Sequence, residues 1–170
     1  GCPAGTTTIS PADGTTNTCQ ITGRITSDLT LTSGNLYALN GAVFVGGDNA
    51  DSAELSIEAG VTVFGGSGND YLVVSRGSTI NTQGTSTDPV TMTSSAAVSG
   101  GLEAGSAGQW GGLVILGNAP SNKCPSDADC ALQIEGVQEG AVFGGTASDD
   151  NSGTLRYVRV MHGGFEVAPD

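Results

Sequence analysis

An all-β chain wound as a solenoid of stacked coils is the fold class this sequence predicts, and three observations predict it. Apolar residues recur in pairs with one residue between them, which places both members on one face of a strand. Glycine, asparagine, aspartate and serine punctuate nearly every pair, and glycine alone supplies 28 of the 170 residues. A string also recurs, as Val43-Phe44-Val45-Gly46-Gly47, Val63-Phe64-Gly65-Gly66 and Val142-Phe143-Gly144-Gly145; the first two Gly-Gly pairs lie 19 residues apart, so the strings are expected to be imperfect copies of one coil with a period near twenty. One such coil cannot bury its own apolar face, whereas a stack of coils buries a continuous one. A β-sandwich is the alternative, because it too shows short strands at regular spacing. It is disfavoured because the turns lack the two-residue Asn-Gly hairpin rhythm outside Asn40-Gly41.

Taken in order, residues 1–19 are a Thr-rich, Pro-containing lead-in with little periodicity, expected to cap the fold. Residues 20–170 carry the coils. The alternating pairs are Leu29/Leu31, Val43/Val45, Leu55/Ile57, Val61/Val63, Leu72/Val74, Val90/Met92, Leu113/Ile115, Leu132/Ile134 and Val158/Val160. Three glycine-free windows reach helical length, and none suits a helix. Residues 48–59 contain the alternating Leu55 and Ile57, residues 85–99 contain Pro89 among many Thr and Ser, and residues 118–135 contain two prolines.

Charge and composition exclude several functions. The net charge is −12, with Lys123 and four arginines against 17 acids. A nucleic-acid binder needs a cationic footprint to replace counterions, so no nucleic-acid partner is expected. His162 is the only histidine, which rules out a multi-histidine zinc centre. No apolar run approaches the roughly 18–20 residues of a membrane helix, so no transmembrane segment is expected. The longest run, Gly112-Leu113-Val114-Ile115-Leu116-Gly117, is strand-sized.

Four cysteines, Cys2, Cys19, Cys124 and Cys130, point to an oxidising compartment. Cys124 and Cys130 would close a small polar loop, and Cys2 and Cys19 would staple the lead-in; free thiols are the alternative. Gly1-Cys2 also resembles the end of a bacterial lipoprotein signal. Cleavage there would leave Cys2 first and remove it from pairing, so the disulfide is preferred.

A longer series of motifs carries a family resemblance. It runs through Leu29-Thr30-Leu31-Thr32, Tyr37-Ala38-Leu39-Asn40-Gly41, the stretch from Leu55 to Val63, and Leu72-Val73-Val74-Ser75-Arg76-Gly77-Ser78. It continues with Asp88-Pro89-Val90-Thr91-Met92-Thr93-Ser94, Trp110 through Gly117, and Asn151 through Val160. From about residue 20 onward the chain resembles a family of bacterial secreted or lipid-anchored surface proteins, mostly uncharacterised. The resemblance implies a right-handed, pectin-lyase-like parallel β-helix, a secreted or cell-surface location, and further coils beyond the equivalent of Asp170. A solenoid that stops after a strand leaves its last edge open unless something caps it.

Gly65-Gly66-Ser67-Gly68-Asn69-Asp70-Tyr71-Leu72 matches the calcium nonapeptide pattern, in which backbone carbonyls and the Asp70 carboxylate would surround Ca²⁺. A glycine-rich corner is the plainer alternative, since only one clean copy is present. Asp149, Asp150 and Asn151 form a second oxygen-rich cluster, and Asp127 and Asp129 a third; each is a candidate calcium ligand set. Trp110 could stack on a sugar ring if exposed, or fill the space between coils. Glu54/Glu58 and Glu135/Glu139 are candidate carboxylate pairs by count alone, with solvated turn positions as the plainer reading. No residue is singled out as catalytic.

The leading expectation is a non-catalytic extracellular or cell-surface structural module that assembles end-to-end with the rest of its protein or with further subunits. The alternatives are a polysaccharide lyase or hydrolase whose active site lies mostly outside this chain, and a glycan- or host-binding adhesin.

Overall fold

The computed structural model describes residues 1–137 and 140–165. Its longest strands are β2 (Thr18–Ile25) and β4 (Leu36–Val45), which pair in parallel along both their halves. A bulge falls between Thr22 and Gly23. Gly23 and Gly41 adopt φ of 66° and 73°, so two glycines turn the pair around a corner in a conformation that a side chain would oppose.

Beyond the corner the ladder divides. The first half of β4 pairs with β6 (Thr62–Gly65), which pairs with β9 (Val90–Ser94) and then β14 (Val158–Val160). The second half pairs with β7 (Tyr71–Val74) and then β10 (Gly112–Ile115). A separate sheet stacks β3 (Leu29–Leu31), β5 (Glu54–Ile57), β8 (Thr79–Thr82) and β13 (Gly153–Thr154). All these ladders are parallel. The chain visits three ladders in turn and returns to the next rung of each, as stacked coils require. Among the described residues antiparallel strand pairs, the signature of a sandwich, occur in two places, apart from an isolated bridge between Ser121 and Cys124. One is β1 (Thr7–Ile9) on β2, and the other is β11 (Leu132–Gln133) on β12 (Val142–Phe143). The one helix among the described residues, α1 (Ser95–Val98), is a single turn capped by the Ser94 hydroxyl.

The recurring Val-Phe-Gly-Gly string does not mark the coil. Val63 stacks on Tyr37, whereas Val43 stacks under Leu72, so the two copies lie in different ladders. The true register runs Thr18, Leu36, Thr62, Thr91, Arg159, giving spacings of 18, 26, 29 and 68 residues. The string repeats because each copy is a strand end entering a glycine corner. Spacing varies because corners tolerate insertions while the strands stay in register. The large spacing reflects two: residues 95–111 between β9 and β10, and residues 116–152 between β10 and β13.

Inward columns explain the alternating pairs. Cys19, Tyr37, Val63 and Met92 stack with none of their surface exposed. Leu29, Leu55 and Ile80 stack in the third sheet. Full burial of each large aliphatic side chain is worth about 1.5–3 kcal/mol. The Tyr37 hydroxyl is satisfied inside: it accepts from the Thr32 amide and donates to the Thr32 carbonyl. Among the described residues every buried polar side-chain atom has a partner.

A second core lies outside the coils. Phe44 and Val73 point outward from β4 and β7, yet both are buried with Leu116 and Ala141. The covering layer is the 116–152 insertion, which contributes Ile134, Val137 and Phe143.

The first rung is closed. β1 pairs with β2, the Cys2–Cys19 disulfide bridges the lead-in to the first coil, and Cys2 packs against the main core. The Asp13 carboxylate gathers the lead-in turn, accepting from the amides of Thr15 and Thr16 and from the Thr16 hydroxyl. Those bonds, the Thr16 hydroxyl foremost, lower its pKa from 3.8 to about 2. A depressed folded-state value contributes stability above about pH 4 that is lost as pH falls through about 2. Asp13→Ala should therefore lower the unfolding midpoint at pH 7 and converge with the parent below pH 2, a comparison that acid titration of both proteins checks.

Candidate functional site

The last rung differs from the first in what covers it. Among the described residues β14, β10 and β13 each end their ladders. Ile115 continues the inward column of Ile25, Val45 and Val74 but is 38% exposed, against 9% for Ile25 on the first rung. Val160 continues the column over Met92 and is 53% exposed. Leu155, Tyr157, Met161 and Phe165 are exposed beside them. The same end carries Arg156 and Arg159, two of the five basic residues of a strongly acidic chain. Arg159 extends the outward column of Thr62 and Thr91, and its guanidinium donates to the Thr91 hydroxyl.

One corner of this end is closed from within. Trp110 is fully buried in the main core, and its indole N–H donates to the Met161 carbonyl at 2.8 Å. Gly108 and Gln109 donate their amides to Gly163 and His162. Trp110 therefore has no exposed face for a sugar ring, and its place is between coils. His162 lies against the same segment, with Nδ1 bonded to the Ser106 carbonyl, an arrangement that puts the proton on Nδ1.

Arg76 is the charged centre that sequence reasoning missed. It follows β7 and is only 7% exposed. Nε and Nη2 donate to the two oxygens of Asp48 at 2.6 and 2.7 Å, and Nη1 donates to the carbonyls of Cys130 and Gly144, each at 2.6 Å. Hydrogen bonding to Asp48 raises the pKa of the guanidinium against the opposing effect of burial. This one side chain ties a coil corner to the insertion that covers the outer apolar face. The Cys124–Cys130 disulfide closes the loop that presents the Cys130 carbonyl. Nothing local in the sequence marks the pair, because its acid lies 28 residues away on the preceding coil.

Four of the six expected calcium ligands, Asp70, Asp150, Asn151 and Asp127, accept backbone amides. Asp70 accepts from Gly41 through one oxygen and from Gly66 and Ser67 through the other. Three backbone N–H donors converge on this carboxylate. Gly65 leaves room for Asp70, since a Cβ on Gly65 would come within 2.8 Å of the Asp70 Cβ. Asp150 accepts from the Asn118 amide, Asn151 from Gly153, and Asp127 from Asp129, while Asp149 and Asp129 are exposed. Among the described residues no three carboxylate, cysteine or histidine groups are close enough to hold a metal together. Glu54 accepts from Ser56 on its own strand and from Thr79 on the next coil, and Glu58 accepts from the Ser33 amide on the preceding coil, so both help hold neighbouring coils together. Glu135 is exposed, and Glu139 lies outside the described residues. The disulfide pairs are Cys2–Cys19 and Cys124–Cys130, as spacing suggested.

A shallow groove of about 360 Å³ runs along the outer face of the first ladder, lined by Asp13, Thr62, Thr91, Thr93, Arg159 and His162 among others. No helix among the described residues is long and apolar enough to cross a membrane.

Residues 23–170 match the family described as a pectate-lyase like beta helix domain. No curated protein matches the chain, and no solved structure does.

Proposed function

The chain belongs to the pectate-lyase-like β-helix family, and from that premise we propose that it is a non-catalytic structural module of an extracellular or cell-surface protein, right-handed in its winding and bacterial in origin. Its working part is the open last rung. The observation that carries this reading is the contrast between the two ends: a stapled, capped first rung and a last rung whose inward column ends in exposed Ile115 and Val160. Free edges and apolar columns together are a template for another rung. That rung comes from the same polypeptide or from another subunit. Two disulfides support an oxidising, extracellular setting.

Sedimentation velocity tests the reading. Association that grows with concentration is expected, and Ile115→Asp with Val160→Asp should abolish it while changing the unfolding free energy by no more than about 0.5 kcal/mol, as for substitutions at exposed positions. A chain that stays monomeric, with variants indistinguishable from it, contradicts the proposal.

A second reading, glycan binding, is supported by the threonine-lined groove beside Asp13, Arg159 and His162. It predicts that neutral oligosaccharides bind and that Thr91→Val together with Arg159→Ala weakens them at least about tenfold, a loss of about 1.4 kcal/mol. Calorimetry showing no heat with any oligosaccharide removes this reading.

A further inference from the structure

The free edge of β10 opens into a groove of about 470 Å³. One wall is the strand, with Val114 and Ile115; the other is the insertion, with Leu116, Pro120, Ile134 and Phe143, and with Ser121 and Asn122 as its polar part. Two side-chain columns end here. The inward one runs Ile25, Val45, Val74, Ile115, and the outward one runs Arg24, Phe44, Val73, Val114, apolar from Phe44 onward. The outward column is apolar because the insertion covers it, and the insertion reaches past β10 to line the groove beyond. The third sheet contrasts with this: its outward column is Thr30, Ser56, Asn81 and Thr154, facing water.

Resting on the reading of the last rung as a docking face, we propose that the partner strand received by β10 is apolar on both faces. It lies parallel to β10, slotted between that edge and the overhanging insertion. Its inward side chain continues the column over Ile115. Its outward side chain continues the column over Val114 and meets the apolar Ile134 and Phe143, against which burying a polar group is costly. Leu72-Val73-Val74 of β7 already has this character and already pairs with β10 in this register on the other side. The strand received by β14 has a different requirement: apolar inward over Met92 and Val160, and compatible with a cation outward beside Arg159.

A fluorescently labelled peptide of residues 70–76 is the probe, titrated into the whole chain and followed by anisotropy. Binding is expected to saturate and to fall at least about tenfold when the peptide carries Val73→Asp. It should fall similarly when the chain carries Ile115→Asp or Phe143→Asp, and stay unchanged with Thr30→Asp on the opposite sheet. Equal binding of both peptides overturns the two-faced requirement while leaving the last rung as a docking face. Binding of neither peptide to a folded chain overturns the β10 slot. The sedimentation result does not depend on the peptide and separately decides the reading beneath it.

Discussion

Replacing Trp110 with alanine is expected to destabilise the protein by about 3–5 kcal/mol, the range for removing a large aromatic from a packed core. The indole has no exposed surface, closes one corner of the last rung, and bonds to Met161 on the segment after β14. Truncation opens a cavity, leaves the Met161 carbonyl unpaired, and frees residues 161–163 from the strip at 108–110. Trp110→Phe separates these effects. It keeps most of the volume and loses the hydrogen bond, so its cost should be about 1–3 kcal/mol. Denaturant unfolding of both variants measures the two costs. Because this is the only tryptophan, the parent's emission should be blue-shifted and poorly quenched by acrylamide, and it should become accessible only on unfolding. A cost below 1 kcal/mol for the alanine variant would mean that the indole does not fill the core.

Arg76→Met is expected to cost about 3 kcal/mol. That is the low end for breaking a buried ion pair, because the Asp48 side chain keeps about a third of its surface in water and can rehydrate. The loss should be regional. Without the guanidinium the carbonyls of Cys130 and Gly144 lose a donor, and the insertion loses its polar anchor over Phe44 and Val73. Amide exchange should accelerate at least about tenfold, equivalent to 1.4 kcal/mol, across residues 130–145, and should be unchanged in β3, β5 and β8. Arg76→Lys should behave nearly as badly, since an ammonium cannot reach the carboxylate in a planar fork and two carbonyls at once. Uniform acceleration across all sheets would show that Arg76 supports the whole fold rather than the insertion.

The interior of this fold was readable because burial imposes alternation whatever the coil length. Leu55/Ile57, Leu72/Val74 and Val90/Met92 all point inward in the structure. β8 was harder to see, since Ile80 stands alone between Thr79 and Asn81 and forms no pair. The start of β2 was hidden in the lead-in, because Thr18 and Cys19 give no apolar pattern although both are fully buried. Register was misread from the Val-Phe-Gly-Gly string, which reports corner chemistry rather than stacking. Local chemistry revealed the disulfides, because each pair is close in sequence. It could not reveal the Arg76–Asp48 pair or the three amides on Asp70, because those depend on which corner lies over which. The outer apolar column was equally hidden. Phe44 and Val73 sit within runs apolar on both faces, and only the insertion folding back over them explains why.

Amide hydrogen exchange of the chain at low and high concentration tests the open rung most directly. Raising the concentration should protect the amides of 112–115 and 156–161 and leave 18–31, on the capped rung, unchanged. Protection centred on the first rung, or on the outward face of β3, β5 and β8, would contradict it.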